Sequence, residues 1–377
     1  MPFKSLGLPP ALVHALETQN CLKPYPIQQL AIPAILKGKD VLGIARTGSG
    51  KTASYALPIL ANLDGKTEGV DRNIGVLVLV PTRELAMQVT EVFSEFGAKM
   101  PFRFKAMAVY GGVSINPQMK SLQNVNVLVA TPGRLLELYK SKAMRFTKLH
   151  TLVIDEADKM LNLGFKEEMT EVFDLLPVKR QNLLFSATLS PEIKHIEGVL
   201  LHEPEVIQIQ DEKVETDLIH QVGYLVNSEK KGPLLRHLIQ SKNMEQVLVF
   251  TSSTHRADLV SAKLCKNGIE ARAIHGKKSQ GNRTESLRSF KAGTLRVLVT
   301  TDLLSRGIDI EFLPYVINYE LPRSPKDFIH RIGRTGRAEN PGMAISLVAP
   351  EDKAHFIVIQ KKMKKFVSLI DAEDMNW

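Results

Sequence analysis

Short apolar runs rich in Val, Ile and Leu alternate along the chain with longer stretches that have helical spacing. A first series of runs occupies 76–80, 127–130, 151–154 and 182–185, and a second occupies 246–250, 271–275, 296–300, 315–319 and 343–348. Strands that are apolar throughout and alternate with helices are typical of parallel sheets covered on both faces. Two series of this kind predict two α/β domains.

The stretch 203–219 between the two series is mixed in charge and lacks sustained helical spacing. We predict an N-terminal domain at 1–209, a linker at 210–218 and a C-terminal domain at 219–377. A chain of 377 residues is long enough for two domains of ordinary size, each with its own core.

The composition, 44% hydrophobic and 24% charged, is that of a folded globular protein. Because the chain has no run of about 18 apolar residues, we expect no membrane span. Its two cysteines, Cys21 and Cys265, are far apart and form no CxxC pair, which disfavours a disulfide framework and a zinc site. We therefore expect a reducing, cytoplasmic location. The net charge of +9 favours a polyanionic partner such as nucleic acid.

A glycine-rich segment follows the apolar run 41–44: Ala45-Arg46-Thr47-Gly48-Ser49-Gly50-Lys51-Thr52. Glycines let successive backbone N–H groups face a phosphate, and the following helix N-terminus adds a favourable dipole. We expect 47–50 to surround nucleotide phosphates, Lys51 to reach the β- and γ-phosphates, and the Thr52 hydroxyl to ligate Mg²⁺. Since Ala45 replaces the first glycine of the usual pattern, a Gly/Ser turn with an incidental lysine is the alternative.

An acidic segment, Asp155-Glu156-Ala157-Asp158, follows the apolar run 151–154. The carboxyl end of a parallel strand points into the crevice where open α/β sheets bind ligands. We expect Asp155 to hold Mg²⁺ through water, and Glu156 to orient and deprotonate an attacking water. The alternative is an acidic start to the next helix, where carboxylates favour the helix dipole.

An arginine-rich segment lies in the second half of the chain: His330-Arg331-Ile332-Gly333-Arg334-Thr335-Gly336-Arg337. Three arginines at this spacing can bring guanidinium groups to a γ-phosphate, as arginine fingers do. A basic RNA-facing or surface helix is the alternative. If these arginines serve a phosphate site in the other domain, hydrolysis depends on domain closure. The absence of an NKxD-type motif argues against a GTPase.

In this order, these segments resemble the motifs of the DEAD-box ATP-dependent RNA helicases of superfamily two. The resemblance extends from Phe3 to Arg337 and includes further segments: 81–86 (PTRELA), 111–112 (GG), 131–134 (TPGR), 186–188 (SAT), 249–252 (VFTS), Gln280 with Arg283, 301–302 (TD), 306–309 (RGID) and 316–319 (VINY). Any one segment could arise by chance, but the ordered set is specific.

The resemblance implies two RecA-like α/β domains, each a mostly parallel sheet with helices on both faces, joined by a flexible linker. ATP and Mg²⁺ would bind between the domains, and RNA would lie across both. The nucleotide contacts that it implies beyond the glycine-rich segment are Phe3, Lys23 and Gln28 at adenine, Asp309 at the ribose, and Arg334 and Arg337 at the γ-phosphate. His330 would couple the sites across the cleft.

For RNA, the resemblance implies contacts from Thr82, Arg83, Gly112, Thr131, Arg134, Gln280, Arg283 and Thr301. Ser186 and Thr188 would link hydrolysis to strand separation, through hydroxyl bonds to the acidic segment or to His330. Contacts to the RNA backbone carry little sequence information, so we expect sequence-independent binding. Discrimination against DNA would come from the 2′-hydroxyls.

The chain departs from the family pattern at several positions. Asn20-Cys21 replaces a glycine–aromatic pair whose ring packs on adenine, Tyr25 stands where threonine is common, Arg46 replaces a common glutamine, and Glu320 replaces a common aspartate. We expect Cys21 to weaken adenine affinity or selectivity. No catalytic group is missing.

The expected function is an RNA-dependent ATPase that opens short duplexes locally. The alternatives are an ATP-gated RNA clamp with little turnover and a DNA-translocating helicase of the same superfamily. Gln28 and the acidic and SAT segments together disfavour the DNA enzyme. We expect a monomeric core resembling the RhlE-like bacterial subgroup.

Overall fold

Each apolar run predicted from the sequence forms a strand in one of two parallel sheets. The computed structural model describes residues 2–45, 48–63, 72–209, 219–302, 313–336 and 342–374. The chain divides into two compact units, Met1–Asp211 and Glu212–Trp377. The predicted linker, 210–218, lies outside the described residues and stays a prediction.

The N-terminal unit contains a seven-stranded parallel sheet in the order β3-β4-β2-β5-β6-β1-β7. Its strands are β1 Val41–Ile44, β2 Val76–Leu79, β3 Ala106–Val109, β4 Val127–Ala130, β5 Thr151–Ile154, β6 Gln181–Ser186 and β7 Glu205–Gln208. Its helices are α1 Pro10–Thr18, α2 Pro26–Leu36, α3 Lys51–Asn62, α4 Arg83–Gly97, α5 Ile115–Ser121, α6 Pro132–Lys140, α7 Ala157–Asn162, α8 Lys166–Leu175 and α9 Pro191–Leu200, preceded by a short 3₁₀ helix, Phe3–Leu6.

The C-terminal unit contains a second seven-stranded parallel sheet, in the order β10-β11-β9-β12-β13-β8-β14. Its strands are β8 Ile219–Leu225, β9 Val247–Thr251, β10 Ala271–Ile274, β11 Val297–Thr301, β12 Tyr315–Asn318, β13 Gly342–Val348 and β14 Leu369–Asp371. The helices described are α10 Lys231–Ser241, α11 Thr254–Lys266, α12 Gln280–Lys291, α13 Pro325–Ile332 and α14 Lys353–Met363, with 3₁₀ turns at Pro350–Asp352 and Ala372–Asp374.

Both sheets bury apolar side chains on their two faces. In β2, Val76 and Val78 join one apolar core, whereas the alternate residues Leu77 and Leu79 join another on the opposite face. Since successive side chains of a strand point to opposite faces, an uninterrupted apolar run is what a sheet covered on both sides requires. The predicted fold class is therefore confirmed. No helix within the described ranges is long and apolar enough to cross a membrane.

Candidate functional site

The glycine-rich and acidic segments of the N-terminal unit lie at the carboxyl ends of two strands of its sheet. The glycine-rich segment follows β1 and the acidic segment follows β5, while β6 lies between these two strands. This edge is where open parallel sheets bind ligands. Within the glycine-rich segment, Arg46 and the predicted phosphate contact Thr47 lie outside the described residues.

The lysine of the glycine-rich segment is hydrogen-bonded to the first residue of the same segment. Lys51, the first residue of α3, is buried, and its Nζ donates a 2.6 Å hydrogen bond to the carbonyl oxygen of Ala45. Gly48 and Gly50 have positive φ of 76° and 83°, a conformation that L side chains rarely adopt. Ser49 and Thr52 are half-buried beside them. Lys51 is thus held at the strand end where the sequence predicts phosphates.

The aspartate predicted to hold Mg²⁺ is buried and hydrogen-bonded. The hydroxyl of Tyr55 donates to Asp155 Oδ2 at 2.9 Å, and the backbone N–H of Glu156 donates to Oδ1 at 2.8 Å. Burial raises the pKa of the Asp155 carboxyl, while the charge of Lys51 and the Tyr55 hydrogen bond oppose that rise. Tyr55 was not predicted, because its contact with the acidic segment arises from tertiary packing.

Glu156 adopts a left-handed backbone conformation, with φ 53° and ψ 45°, immediately before α7. Its Oε1 accepts a 2.5 Å hydrogen bond from Lys159, whereas its buried Oε2 has no hydrogen-bond partner within the described part of the chain. Burial raises the pKa of this carboxyl, and the charge of Lys159 partly offsets the rise. The geometry leaves one carboxylate oxygen able to accept a proton.

The donor set fits a magnesium ion that is held mainly by a nucleotide. Among the residues that the structure describes, no cluster of three or more His, Cys, Asp or Glu side chains is arranged to hold a metal. Mg²⁺ in phosphate sites typically keeps several waters and is bound through one or two protein ligands plus phosphate oxygens. Asp155 and Thr52 are of the right chemical type for that arrangement.

The glutamine predicted to read adenine is buried against the glycine loop. Gln28 Nε2 donates to the carbonyl oxygen of Gly50 at 3.2 Å, and Gln28 Oε1 accepts from the backbone N–H of Tyr25 at 2.9 Å. A Cβ atom at Gly50 would lie 2.5 Å from Gln28 Nε2, so this glycine permits the close approach. Phe3 is packed in the apolar core, whereas Lys23 and Cys21 are exposed.

Of the two predicted coupling residues, Thr188 contacts the acidic segment and Ser186 contacts Thr188. Ser186 is the last residue of β6, and its hydroxyl donates to the carbonyl oxygen of Thr188 at 2.8 Å. The Thr188 hydroxyl in turn donates to Asp158 Oδ2 at 3.3 Å. Of the two partners expected for these hydroxyls, the structure has the acidic segment.

The predicted RNA residues of the N-terminal unit follow three neighbouring strands. Thr82 and Arg83 follow β2, Gly112 follows β3, and Thr131 and Arg134 follow β4. A Cβ atom at Gly112 would overlap the guanidinium of Arg83, so these two residues are in direct contact. Arg134 is buried; it donates to Glu137 at 2.7 Å and to the Val113 carbonyl at 2.8 Å, which fixes its orientation.

The predicted RNA residues of the C-terminal unit lie at the ends of β10 and β11, which are neighbours in its sheet. Arg283 donates to the side-chain oxygen of Gln280 in the first turn of α12. Thr301 is the last residue of β11 and is half-buried. The structure therefore brings this pair together at the same sheet edge as Thr301.

Within the arginine-rich segment, Arg331 makes buried structural contacts that were not predicted from the sequence. Its buried guanidinium makes a bidentate pair with Asp302, at 2.5 and 2.7 Å, and also donates to Asn318 and to the Glu320 carbonyl. The ring of Phe250 lies 4.9 Å from it. Because Arg331 anchors α13, not all three arginines of the segment face a phosphate, and Arg334 and Arg337 are the two left for that role.

The other predicted members of that segment are only partly described. His330 is half-buried near the end of α13, and Arg334 is buried just beyond it. Arg337 and the predicted ribose contact Asp309 lie outside the described residues.

Known proteins resemble the chain in both sequence and structure. Family models described as DEAD/DEAH box helicase and helicase conserved C-terminal domain match residues 25–196 and 230–339. The chain is 38% identical to the ATP-dependent RNA helicase CshA of Listeria monocytogenes, over 98% of this chain and 70% of that protein. It is 37% identical to the DEAD-box ATP-dependent RNA helicase RhpA of Helicobacter pylori, over 99% of this chain and 75% of that protein.

Solved structures give the same result. S. cerevisiae Dbp5 bound to RNA and ADP BeF3 matches with a TM-score of 0.85 and 30% identity, over 99% of this chain and 96% of that one. A DEAD box protein from Methanococcus jannaschii matches with a TM-score of 0.56 and 34% identity, over 98% of this chain and 99% of that one. By sequence and by fold, this chain belongs to the DEAD-box family of ATP-dependent RNA helicases.

Proposed function

We propose that the chain hydrolyses ATP when RNA is bound, and that it uses the cycle of closure and release to open short RNA duplexes. The observation that carries this proposal is the buried pair Asp155 and Glu156 at the strand edge that also holds Lys51, with one Glu156 oxygen unpartnered in the described structure. A buried carboxylate with a free oxygen is suited to accept a proton from water.

In the proposed reaction, the loop N–H groups and Lys51 hold the phosphates of ATP. Mg²⁺, held by Thr52 and by Asp155 through water, would neutralise charge on the phosphate oxygens. Glu156 would orient the attacking water and take its proton through Oε2. Arg334 and Arg337 would offset the charge that develops on the γ-phosphoryl group, so turnover would require the two units to close around ATP.

RNA would control this closure. Arg83, Arg134 and the Gln280–Arg283 pair are proposed to contact phosphates and sugars of one strand. Because such contacts read no base, the enzyme would act on RNA of any sequence. The bond between Thr188 and Asp158 would pass the state of the acidic segment to the RNA-facing edge of the same sheet. We place the enzyme in the cytoplasm, since its two cysteines are unpaired.

The test is ATP hydrolysis measured without nucleic acid, with single-stranded RNA and with DNA of the same sequence, alongside strand displacement on a short RNA duplex. We expect strong stimulation by RNA alone, and ATP-dependent displacement. Lys51→Ala should abolish both, while Lys179→Ala, at an exposed lysine of the same unit, should leave both intact. RNA binding without stimulated turnover would overturn the proposal in favour of an RNA clamp, and equal stimulation by DNA would favour a DNA-translocating enzyme.

A further inference from the structure

A basic and aromatic surface lies at the end of α14, among residues to which no role is assigned above. It consists of Lys361, Lys362, Lys364 and Phe366, and we call it the α14 patch. All four side chains are exposed, and Phe366 has 85% of its surface accessible. A phenylalanine so exposed in an ordered turn has no packing role of its own.

The turn that presents Phe366 is fixed by its neighbours. Lys364 caps α14 in a left-handed conformation, with φ 55° and ψ 29°. The backbone N–H of Val367 donates to Gln360 Oε1 at 3.1 Å, and the Val367 side chain is buried in the core that α14 shares with α13. Because Val367 packs inward, Phe366 is directed to solvent by a defined backbone rather than by a loose end.

The charge of the patch is uncompensated. The ammonium groups of Lys361, Lys362 and Lys364 make no ion pair with any residue that the structure describes, and the acidic residues Glu351 and Asp352 lie at the opposite end of α14. Lysines at a helix C-terminus favour the helix dipole, which by itself would explain their position. It does not explain an exposed aromatic ring beside them.

Lysines next to an exposed ring are the combination that binds single-stranded nucleic acid, because ammonium groups pair with phosphates and bases stack on the ring. We propose that the α14 patch binds single-stranded RNA outside the segment held by the RecA-like motifs. This inference rests on the proposed function, in which RNA is the substrate.

The location of the patch determines which RNAs reach it. The core of α14 packs on β8 and β13, whereas Gln280 and Arg283 lie next to β10 at the other end of the same sheet. In this sheet β10 and β8 are five strand spacings of about 4.8 Å apart, which amounts to about 24 Å. Only an RNA longer than the segment held by the motifs can contact both places.

Helix α14 also packs against α13, which carries the first residues of the arginine-rich segment. The rings of Phe328, in α13, and Phe356, in α14, lie 6.1 Å apart and nearly edge to face. The helix that ends in the patch therefore packs directly on the helix that carries His330.

The experiment compares RNA affinity without nucleotide for two RNAs. The short one has about 5 nucleotides, which at about 3.4 Å per stacked nucleotide is shorter than the separation of the two places, and the other is several times longer. The test variants are Lys361→Gln/Lys362→Gln/Lys364→Gln and Phe366→Leu. The first is matched by Lys242→Gln/Lys263→Gln/Lys266→Gln, which removes the same charge from exposed lysines at the ends of α10 and α11. The second is matched by Phe366→Trp, which keeps a stacking surface.

We expect Phe366→Leu to weaken binding of the long RNA about tenfold, and Phe366→Trp to preserve it. The lysine variant should reduce the slope of log affinity against log salt by about 2 for the long RNA, since three phosphate contacts are lost. Binding of the short RNA, and ATP hydrolysis at saturating short RNA, should stay as in the unmodified chain.

Three results would overturn the proposal: unchanged long-RNA binding in both test variants, equal losses for short and long RNA, or an equal loss in the α10 and α11 control. If RNA binding is unchanged, the patch does not bind RNA, and an acidic protein is the remaining candidate partner. If the proposed function is wrong, RNA does not stimulate ATP hydrolysis by the unmodified chain, whereas the RNA affinities of the variants can still be compared. The two failures are therefore distinguishable.

Discussion

The hydroxyl of Tyr55 donates a 2.9 Å hydrogen bond to Oδ2 of Asp155, and both side chains are buried. Tyr55 lies one turn beyond Lys51 on α3, so this bond ties the helix of the glycine loop to the strand end of the acidic segment. Burial first, and then the charge of Asp155, raise the pKa of the tyrosine well above its ordinary value, which keeps it a donor throughout the physiological range.

Replacing this tyrosine tests how far the bond supports the acidic site. We expect Tyr55→Phe to lower the free energy of unfolding by about 2 kcal/mol at neutral pH, since a hydrogen bond to a charged group is lost. The pKa of Asp155 should rise further, and ATP hydrolysis should require more Mg²⁺. The control is Tyr110→Phe, because among the described residues the Tyr110 hydroxyl bonds only to the sulfur of Met87, at 3.6 Å. Equal stability of the two variants in denaturant titrations would show that the bond contributes nothing.

Replacement of Glu156 by glutamine tests its proposed catalytic role. Glu156→Gln keeps the size of the side chain but removes the base, so turnover should fall by about 10² to 10⁴ while ATP and RNA affinities are retained. Single-turnover hydrolysis and equilibrium binding measure the two effects separately. Glu91→Gln, at an exposed position of α4, provides the matched control. Normal turnover in Glu156→Gln would remove this residue from the mechanism.

The raised pKa of Glu156 predicts two pH dependences. The base must be ionised to act, so turnover should fall on the acid side at a pH above the ordinary glutamate value of 4.5. For stability, a carboxyl whose pKa is raised on folding favours the folded state below its unfolded pKa, and that contribution is lost as pH rises through the folded pKa. The stability of Glu156→Gln relative to the unmodified chain should therefore increase over that window. A pH-independent difference between their melting temperatures would contradict this account.

The central strands of both sheets could be predicted because burial on two faces demands apolar runs. Strands β3, β7 and β14 were not predicted, and each lies at an edge or carries exposed residues: β7 buries only Ile207, and β14 buries none of its three residues fully. An edge strand has one neighbour and needs less apolar surface, so its pattern is weak. Strand β8 has two neighbours, but it was missed as well, because His220, Gln221 and Gly223 interrupt its apolar pattern.

The site was predictable where chemistry depends on local sequence. Glycine torsions before Lys51 and carboxylates after β5 are local requirements, and they can be seen in the order of the residues. The contacts of Tyr55 and Arg331 depend instead on which strands become neighbours, and the spacing of residues along the chain does not encode them. The exposure of Phe366 could not be predicted from the sequence either, because it follows from the burial of the Val367 side chain in the core.

The pair formed by Arg331 and Asp302 should stabilise the C-terminal unit. Lysine cannot form the bidentate contact, so Arg331→Lys leaves the buried side of Asp302 and the Glu320 carbonyl short of donors. We expect a loss of about 3 kcal/mol, visible as faster hydrogen exchange in α13. Arg236→Lys, which disturbs only an exposed bond to Asn267, should have little effect. Combining Arg331→Lys with Asp302→Asn should cost less than the sum of the single changes, and strict additivity would indicate that the two side chains are not coupled.

Cys21 offers a test of the expected weakness at adenine. The family pattern has an aromatic residue at this position, and the cysteine side chain is exposed, so a ring can be added without displacing the core. Stacking on adenine should lower the KM for ATP about fivefold in Cys21→Phe, and should increase the preference for ATP over UTP, whose smaller base stacks less. Turnover at saturating ATP should not change, because the ring contacts no reacting atom. Cys21→Leu controls for added apolar volume without a π surface. If the leucine variant gains as much affinity as the phenylalanine variant, the gain comes from apolar contact, and the proposed stacking at this position is wrong.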